Sequence, residues 1–81
     1  MAKSFYFYIL ALFVVAGCVT EPKVNLNSAE GLYTLGEFYE KQERYEEAIS
    51  QYKTLSNKFP YSKLASDAEM HVADCYYKKE E

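Results

Sequence analysis

The side chains that could do chemistry in this sequence are few, and their spacing matches no familiar catalytic arrangement. His71 is the only histidine, and no serine or cysteine lies at a spacing from it that is diagnostic of nucleophilic catalysis. The chain has no glycine-rich phosphate loop and no zinc-binding spacing. We therefore expect His71 to be a surface or groove residue, and we expect neither enzymatic activity nor a metal or cofactor.

The remaining titratable clusters favour ordinary structural roles. An acidic cluster consists of Glu37, Glu40, Glu43, Glu46 and Glu47. No second acidic motif accompanies it, as a metal site or a glycosidase would require, so a solvated helix face explains it best. Cys75 lies on an apolar stripe, and we expect it to be packed rather than reactive.

The length and charge of the chain exclude further classes of protein. The 81 residues leave room for one small domain and none for a cleft between two lobes. Nine basic and 12 acidic residues give a net charge of −3, whereas nucleic-acid binders carry a basic patch, so we expect no nucleic-acid partner. Aromatic residues make up 17%, too many for a disordered tail, and two cysteines are too few for a disulfide-stapled mini-protein.

The N-terminal residues have the composition of a secretory signal. Residues 5–15 contain no charge, Lys3 precedes them, and small residues follow at positions 16 and 17. A membrane-spanning helix is the alternative, but crossing roughly 30 Å of hydrocarbon takes about 20 apolar residues. The apolar stretch 5–19 has only 15 residues. We therefore predict that residues 1–17 are a signal peptide.

The end of this segment resembles the lipobox of bacterial lipoproteins. Val15-Ala16-Gly17-Cys18 follows its pattern, with Val15 in place of the usual leucine. The resemblance implies that the Cys18 thiol receives diacylglycerol, that the signal is cut before Cys18, and that the new amine is acylated as well. Two signals of this kind anchor a protein stably to a membrane. Val19 stands where aspartate would favour inner-membrane retention, so we expect the outer membrane.

After a polar tether at residues 18–28, which should be extended, the apolar spacing predicts helices. Asn27 and Glu30 resemble a capping box that starts the first helix. Pro60 ends the second helix, and Ser62 can cap a third that runs to about Lys79. The three apolar stripes are Leu32, Leu35, Gly36 and Tyr39; Tyr45, Ala48, Ile49, Tyr52, Leu55 and Phe59; and Leu64, Ala65, Ala68, Val72, Cys75 and Tyr76. The fold class is therefore predicted to be all-α, with a helical hairpin followed by one further helix.

The hairpin resembles the tetratricopeptide repeat, whose signature covers about 34 residues. The matching residues are Leu32, Leu35, Gly36, Tyr39, Ala48, Tyr52 and Pro60. Leu32 replaces a tryptophan, Tyr52 replaces a phenylalanine, and Leu55 occupies a place that usually holds a small residue. We expect Gly36 and Ala48 to be small because the two helices cross closely there, with tyrosines filling the space beside the crossing.

We predict that a second, incomplete repeat follows the first. Val72-Ala73-x₂-Tyr76 restates Leu35-Gly36-x₂-Tyr39, 37 residues further along. Residues 29–62 are therefore predicted to be repeat 1, and residues 63–81 the first helix of repeat 2, as in a truncated α-solenoid. Repeat arrays usually need at least three repeats, so we expect the chain to be a fragment that is weakly cooperative alone.

The longer connection between the repeats, together with the lipobox, resembles the outer-membrane assembly lipoproteins of the BamD (ComL, YfiO) type. The matching residues are Arg44, Tyr45, Ala48, Ile49, Leu55, 57–60, Tyr76 and Tyr77. The resemblance implies a lipid-anchored scaffold on the periplasmic face of the outer membrane, with subunits of the β-barrel assembly complex as partners. Another envelope lipoprotein of the same repeat type, acting in pilus assembly or cell division, is the alternative.

In such repeats the first helix of each pair lines a concave groove. The groove candidates are Glu30, Tyr33, Glu37, Glu40 and Lys41. Tyr33 offers a stacking surface with a hydrogen-bonding tip, and the acids would favour basic or amide-rich peptides. The alternative is that these residues only keep the helix soluble.

Overall fold

The computed structural model describes residues 20–80, and this part of the chain is all-helical, as predicted. Helix α1 spans Ala29–Lys41, α2 spans Tyr45–Lys58 and α3 spans Lys63–Glu80. The predicted signal peptide and the lipidation site at Cys18 lie outside the described residues.

Helix α1 is capped by Ser28, so the predicted capping box at Asn27 is wrong. The Ser28 Oγ accepts a hydrogen bond from the Gly31 N–H at 3.0 Å and so satisfies an amide that the first turn leaves free. The Asn27 N–H instead donates to Asn25 Oδ1 at 2.9 Å. Serine and asparagine are both good capping residues, and the turn between Asn25 and Ser28 decides which of them occupies the cap.

Helices α1 and α2 run antiparallel and cross closely. Gly36 lies five residues before the end of α1 and Tyr52 seven residues after the start of α2. In the loop between the helices, Glu43 takes a left-handed backbone conformation (φ 61°). A Cβ atom on Gly36 would lie only 2.6 Å from Cε1 of the Tyr52 ring. Two carbon atoms that are not bonded do not approach so closely, so any side chain at position 36 would push the ring away. Glycine has no Cβ and therefore lets the ring lie directly on the α1 backbone.

One hydrophobic core joins the three helices. Its buried members are Ala29, Leu32, Leu35, Tyr39, Ala48, Ile49, Tyr52, Leu55, Ala65, Ala68 and Cys75. Helix α3 runs antiparallel to α2, because Lys79 near its end pairs with Glu46 at the start of α2 at 2.7 Å. The outer side of α3 is less covered, and Tyr76 from the predicted third stripe remains 42% exposed.

The segment before α1 lies against the helices more closely than its polar composition predicts. The Tyr39 O–H donates to Glu21 Oε1 at 2.6 Å, and the Val24 side chain packs against the core. The Asn25 carbonyl occupies the space that a side chain at position 31 would need, so Gly31 lets the chain turn tightly into α1. The position of this segment is therefore set by contacts with α1.

Candidate functional site

A cleft opens between α1 and α3 on one side of the helical unit. Its volume is about 210 Å³, and it is lined by Glu37, Glu40, Lys41, His71 and Lys78. The two helices run in the same direction here, because Tyr33 meets His71 and Glu40 meets Lys78, and both pairs are 38 residues apart in sequence.

Helical periodicity explains how each wall of the cleft is formed. On α1, Glu37, Glu40 and Lys41 are three and four residues apart, so they share one face. On α3, His71 and Lys78 are separated by about two turns and also share a face. Helix α2 lies behind the cleft, and its buried Tyr52 ring stacks on the His71 imidazole.

Glu40 is the centre of the polar network in this cleft. Its Oε1 accepts hydrogen bonds from the Tyr52 O–H and from the His71 Nδ1–H, each at 2.9 Å. Its Oε2 accepts a third from the Lys78 Nζ at 3.3 Å. Only 13% of the Glu40 side chain is exposed. A single carboxylate on α1 therefore joins side chains from both α2 and α3.

The environment of Glu40 favours its ionised form. Burial opposes ionisation and would raise the pKa of Glu40, but the hydrogen bonds from Tyr52 and Lys78 and the neighbouring His71 outweigh it. The net effect is a pKa below the usual value for glutamate. In turn, burial raises the pKa of Tyr52 strongly, and the hydrogen bond to Glu40 raises it further. The Tyr52 hydroxyl therefore stays protonated and acts as a donor.

His71 is held on both ring nitrogens. A carboxylate accepts hydrogen bonds but cannot donate them, so the proton between His71 and Glu40 resides on Nδ1. In the neutral imidazole Nε2 is then an acceptor, and the Tyr33 O–H, 2.9 Å away, is its donor. The imidazole stacks on the Tyr52 ring at a centroid distance of 4.9 Å and meets the Tyr33 ring edge-on at 5.5 Å. This chain of hydrogen bonds fixes the orientation of the imidazole.

The charged side chains of the cleft can make polar contacts with a ligand. Within residues 20–80, no group of three or more histidine, cysteine or acidic side chains is placed to hold a metal ion. The thiol of Cys75 is buried in the core, and burial raises its pKa to about 11, so little thiolate forms at neutral pH. Glu37, Lys41 and Lys78 line the cleft with charges of both signs that can meet polar groups of a bound chain.

The structure brings most of the groove candidates together. Glu37, Glu40 and Lys41 line the cleft, and Tyr33 reaches it through His71. Glu30 is exposed in the first turn of α1 and is not among the lining residues. Because Glu40 already accepts three hydrogen bonds within the protein, it is a structural centre rather than a free acidic contact for a basic peptide.

Two residues of the cleft were not identified as site residues from the sequence. The sequence assigns no site role to Lys78, and it places His71 only at a surface or groove, without partners. The recurrence of residues 35–39 at 72–76 contains the missing signal, because it places α3 in nearly the same register as α1. Adding the offset of 37 residues to Tyr33 and Glu40 gives positions 70 and 77, which are adjacent to His71 and Lys78.

No family model matches the chain, and no curated protein or solved structure matches it either.

None of the three helices in residues 20–80 combines the length and the apolar content that crossing a bilayer requires.

Proposed function

We propose that this protein is a lipid-anchored periplasmic scaffold of the tetratricopeptide type that binds other proteins through the cleft between α1 and α3. The observation that carries the proposal is the cleft itself. Two parallel helices present Glu37, Lys41 and Lys78 along one open face, and the Glu40 network behind them fixes the spacing of the helices. An open cleft lined by charges of both signs suits the binding of an extended peptide better than the enclosure of a small substrate.

The close helix crossing supports the tetratricopeptide part of the proposal. Gly36 lies beneath the ring of Tyr52, and Ala48, one turn before Tyr52 on α2, is fully buried in the core. Gly36 and Ala48 are the two positions at which the repeat signature requires small residues, because the two helices cross closely there. A helical hairpin with larger residues at these places would hold α1 and α2 further apart.

The proposed setting is assembly and insertion of β-barrel proteins into the outer membrane. Support for it comes from the resemblance of the lipobox and of the connection around Asn57-Lys58-Phe59-Pro60 to the BamD-type lipoproteins. The partners would then be subunits of the β-barrel assembly complex. The membrane attachment would be the lipid on Cys18.

A charge reversal tests the cleft without disturbing the network behind it. We expect Glu37→Lys to weaken capture of the partner several-fold. The substitution removes an acidic side chain from the lining, and Glu40 cannot take its place because its carboxylate already accepts three hydrogen bonds within the protein. Glu30→Lys is the matched control, since it makes the same change on the same helix outside the lining. Glu40 is unsuitable for this test because its loss would disturb the packing of α1 against α2 and α3.

The readout is co-purification of the lipid-anchored protein from bacterial membranes with subunits of the β-barrel assembly complex. Equal capture by the Glu37→Lys and Glu30→Lys variants would show that the cleft does not bind the partner. Co-purification with pilus or peptidoglycan factors instead would favour the other envelope adaptors.

A further inference from the structure

The segment that precedes α1, residues 20–27, lies along this helix and returns toward its end. The Tyr39 O–H donates to Glu21 Oε1 at 2.6 Å near the end of α1, and the Asn25 carbonyl lies beside Gly31 near its start. The eight residues from Gly31 to Tyr39 cover about 12 Å of helix. The four residues from Glu21 to Asn25 cover about 13 Å when extended. The two lengths agree, so this docked segment is extended and runs antiparallel to α1.

The exposure of the docked segment follows the period of extended chain. Pro22 and Val24 are partly buried, whereas Glu21, Lys23 and Asn25 are exposed. Alternate side chains of an extended segment point to opposite sides. One side therefore faces the helices, and the packing of Val24 against the core holds it there.

The docked segment leads to one particular end of the helical unit. Helix α1 ends there, and pairs between helices place the start of α2 and the end of α3 beside it. Glu46 pairs with Lys79 at 2.7 Å, and Glu40 pairs with Lys78 at 3.3 Å. We call this the loop end, formed by residues 41–47 and 78–80. The opposite end holds the connection between α2 and α3, about 21 Å away along the 14 residues of α2.

Docking of the segment shortens the link between Cys18 and the helices. Cys18 precedes Glu21 by three residues, which span at most about 11 Å. A free chain of 11 residues from Cys18 to Ala29 would instead reach about 40 Å. A link of that length would let the unit turn any face to a membrane, whereas the short link holds the loop end near residue 18.

We propose that the loop end is the surface of this protein that faces the lipid bilayer, with the opposite end directed away from it. The inference rests on the proposed function, from which it takes the lipid on Cys18. Glu40, Lys41 and Lys78 of the cleft lie at or beside the loop end. The cleft between α1 and α3 therefore opens next to the bilayer, where it meets chains that are presented at the membrane surface.

The short link, and not charge, sets this orientation. Clusters of unpaired basic residues bind anionic headgroups. At the loop end three cations are already paired with acids, namely Arg44 with Glu47, Lys78 with Glu40, and Lys79 with Glu46. We therefore expect the same orientation on a zwitterionic bilayer and at high salt.

Fluorescence quenching at the two ends of the unit tests the orientation. The full chain, lipidated in a bacterial host, is reconstituted into phosphatidylcholine vesicles that contain a lipid with a nitroxide on its headgroup. The chain has no tryptophan, so one introduced tryptophan is the sole reporter. Glu47→Trp places it at the loop end and Tyr61→Trp at the opposite end, and both positions are exposed. We expect the nitroxide to quench Glu47→Trp several-fold more strongly than Tyr61→Trp.

Release of the docked segment should remove this difference. Glu21→Ala combined with Val24→Ala deletes two of its contacts and leaves the helices in place, because both residues lie outside them. In this background we expect equal quenching at positions 47 and 61. Lys23→Ala is the matched control, since it shortens an exposed side chain of the same segment and should keep the difference. Circular dichroism verifies that the helical content is unchanged.

Each result either supports or overturns the orientation. Stronger quenching at position 47 that the double substitution removes and Lys23→Ala keeps supports it. Equal quenching in the parent, stronger quenching at position 61, a difference that survives the double substitution, or one that disappears at high salt overturns it. A fatty-acid probe in the same preparation separates the two proposals. With label on Cys18, equal quenching refutes the orientation alone, whereas absence of label refutes the lipid anchor and the orientation with it.

Discussion

Replacing Gly36 with alanine places a methyl group in space that the Tyr52 ring already fills. The added Cβ would lie 2.6, 2.8 and 2.9 Å from three carbon atoms of that ring. The ring cannot move away freely, because it is fully buried, stacks on His71 and donates a hydrogen bond from its hydroxyl to Glu40. The substitution therefore has to separate α1 from α2 or break that hydrogen bond.

The expected cost follows from three contributions. Overpacking of a well-packed core costs typically about 1–3 kcal/mol. Loss or lengthening of a hydrogen bond to a charged group adds up to about 1.5–3 kcal/mol. Alanine gains about 1 kcal/mol over glycine from helix propensity, which opposes both. Together these contributions lower the free energy of unfolding by roughly 0–5 kcal/mol, and for Gly36→Ala we expect a loss near the middle of that range, about 2–3 kcal/mol.

Urea unfolding followed by circular dichroism measures this loss, and a double-mutant cycle identifies its cause. In a Tyr52→Leu background the steric conflict is gone, so Gly36→Ala should be neutral or should stabilise by up to about 1 kcal/mol. If Gly36→Ala stabilises the parent protein, or destabilises both backgrounds equally, contact with the Tyr52 ring is not the reason for glycine at this position.

Three further predictions address the polar network, the N-terminal segment and the lipid anchor. Because the folded pKa of Glu40 lies below its ordinary value of 4.5, its ionised form should stabilise the fold above that pH and lose this effect as the pH falls through the folded pKa. The stability difference between the parent and Glu40→Gln, measured by urea unfolding, should therefore shrink on acidification, and a difference that stays constant from pH 7 to pH 3 would contradict the assignment. Gly31→Ala should displace the Asn25 carbonyl and speed proteolysis within residues 20–27 without loss of helical circular dichroism, whereas unchanged proteolysis would show that the close contact is unimportant. Cys18→Ala should abolish incorporation of a fatty-acid probe and leave the signal uncleaved, while the Cys75→Ala control keeps the label; label on the Cys18→Ala variant would refute the lipobox interpretation.

The sequence does not predict the N-cap of α1 or the different roles of Glu37 and Glu40, and the cause is the same in both cases. The competing residues are chemically alike, and only their packing in the tertiary structure distinguishes their roles. Asn27 and Ser28 are adjacent and both suited to cap α1, and the Asn25–Ser28 turn assigns the cap to Ser28. Similarly, Glu37 and Glu40 are both acidic residues on the exposed side of the α1 stripe. Contacts with α2 and α3 make Glu40 a structural centre and leave Glu37 at the cleft.

The sequence by itself determined the helical class, the approximate extent of the three helices and the stripes that form their core. These features depend on periodicity and on local stop signals such as Pro60, which a single segment carries within a few turns. Only the tertiary structure decided the partners of His71 and Lys78, the docking of Val24 and the contact between Asn25 and Gly31. The His71 and Lys78 contacts join residues 31 to 38 positions apart. Their formation depends on the distance and register between α1 and α3, which are set by the close approach of Gly36 to Tyr52 and by the packing of α2 between the other two helices.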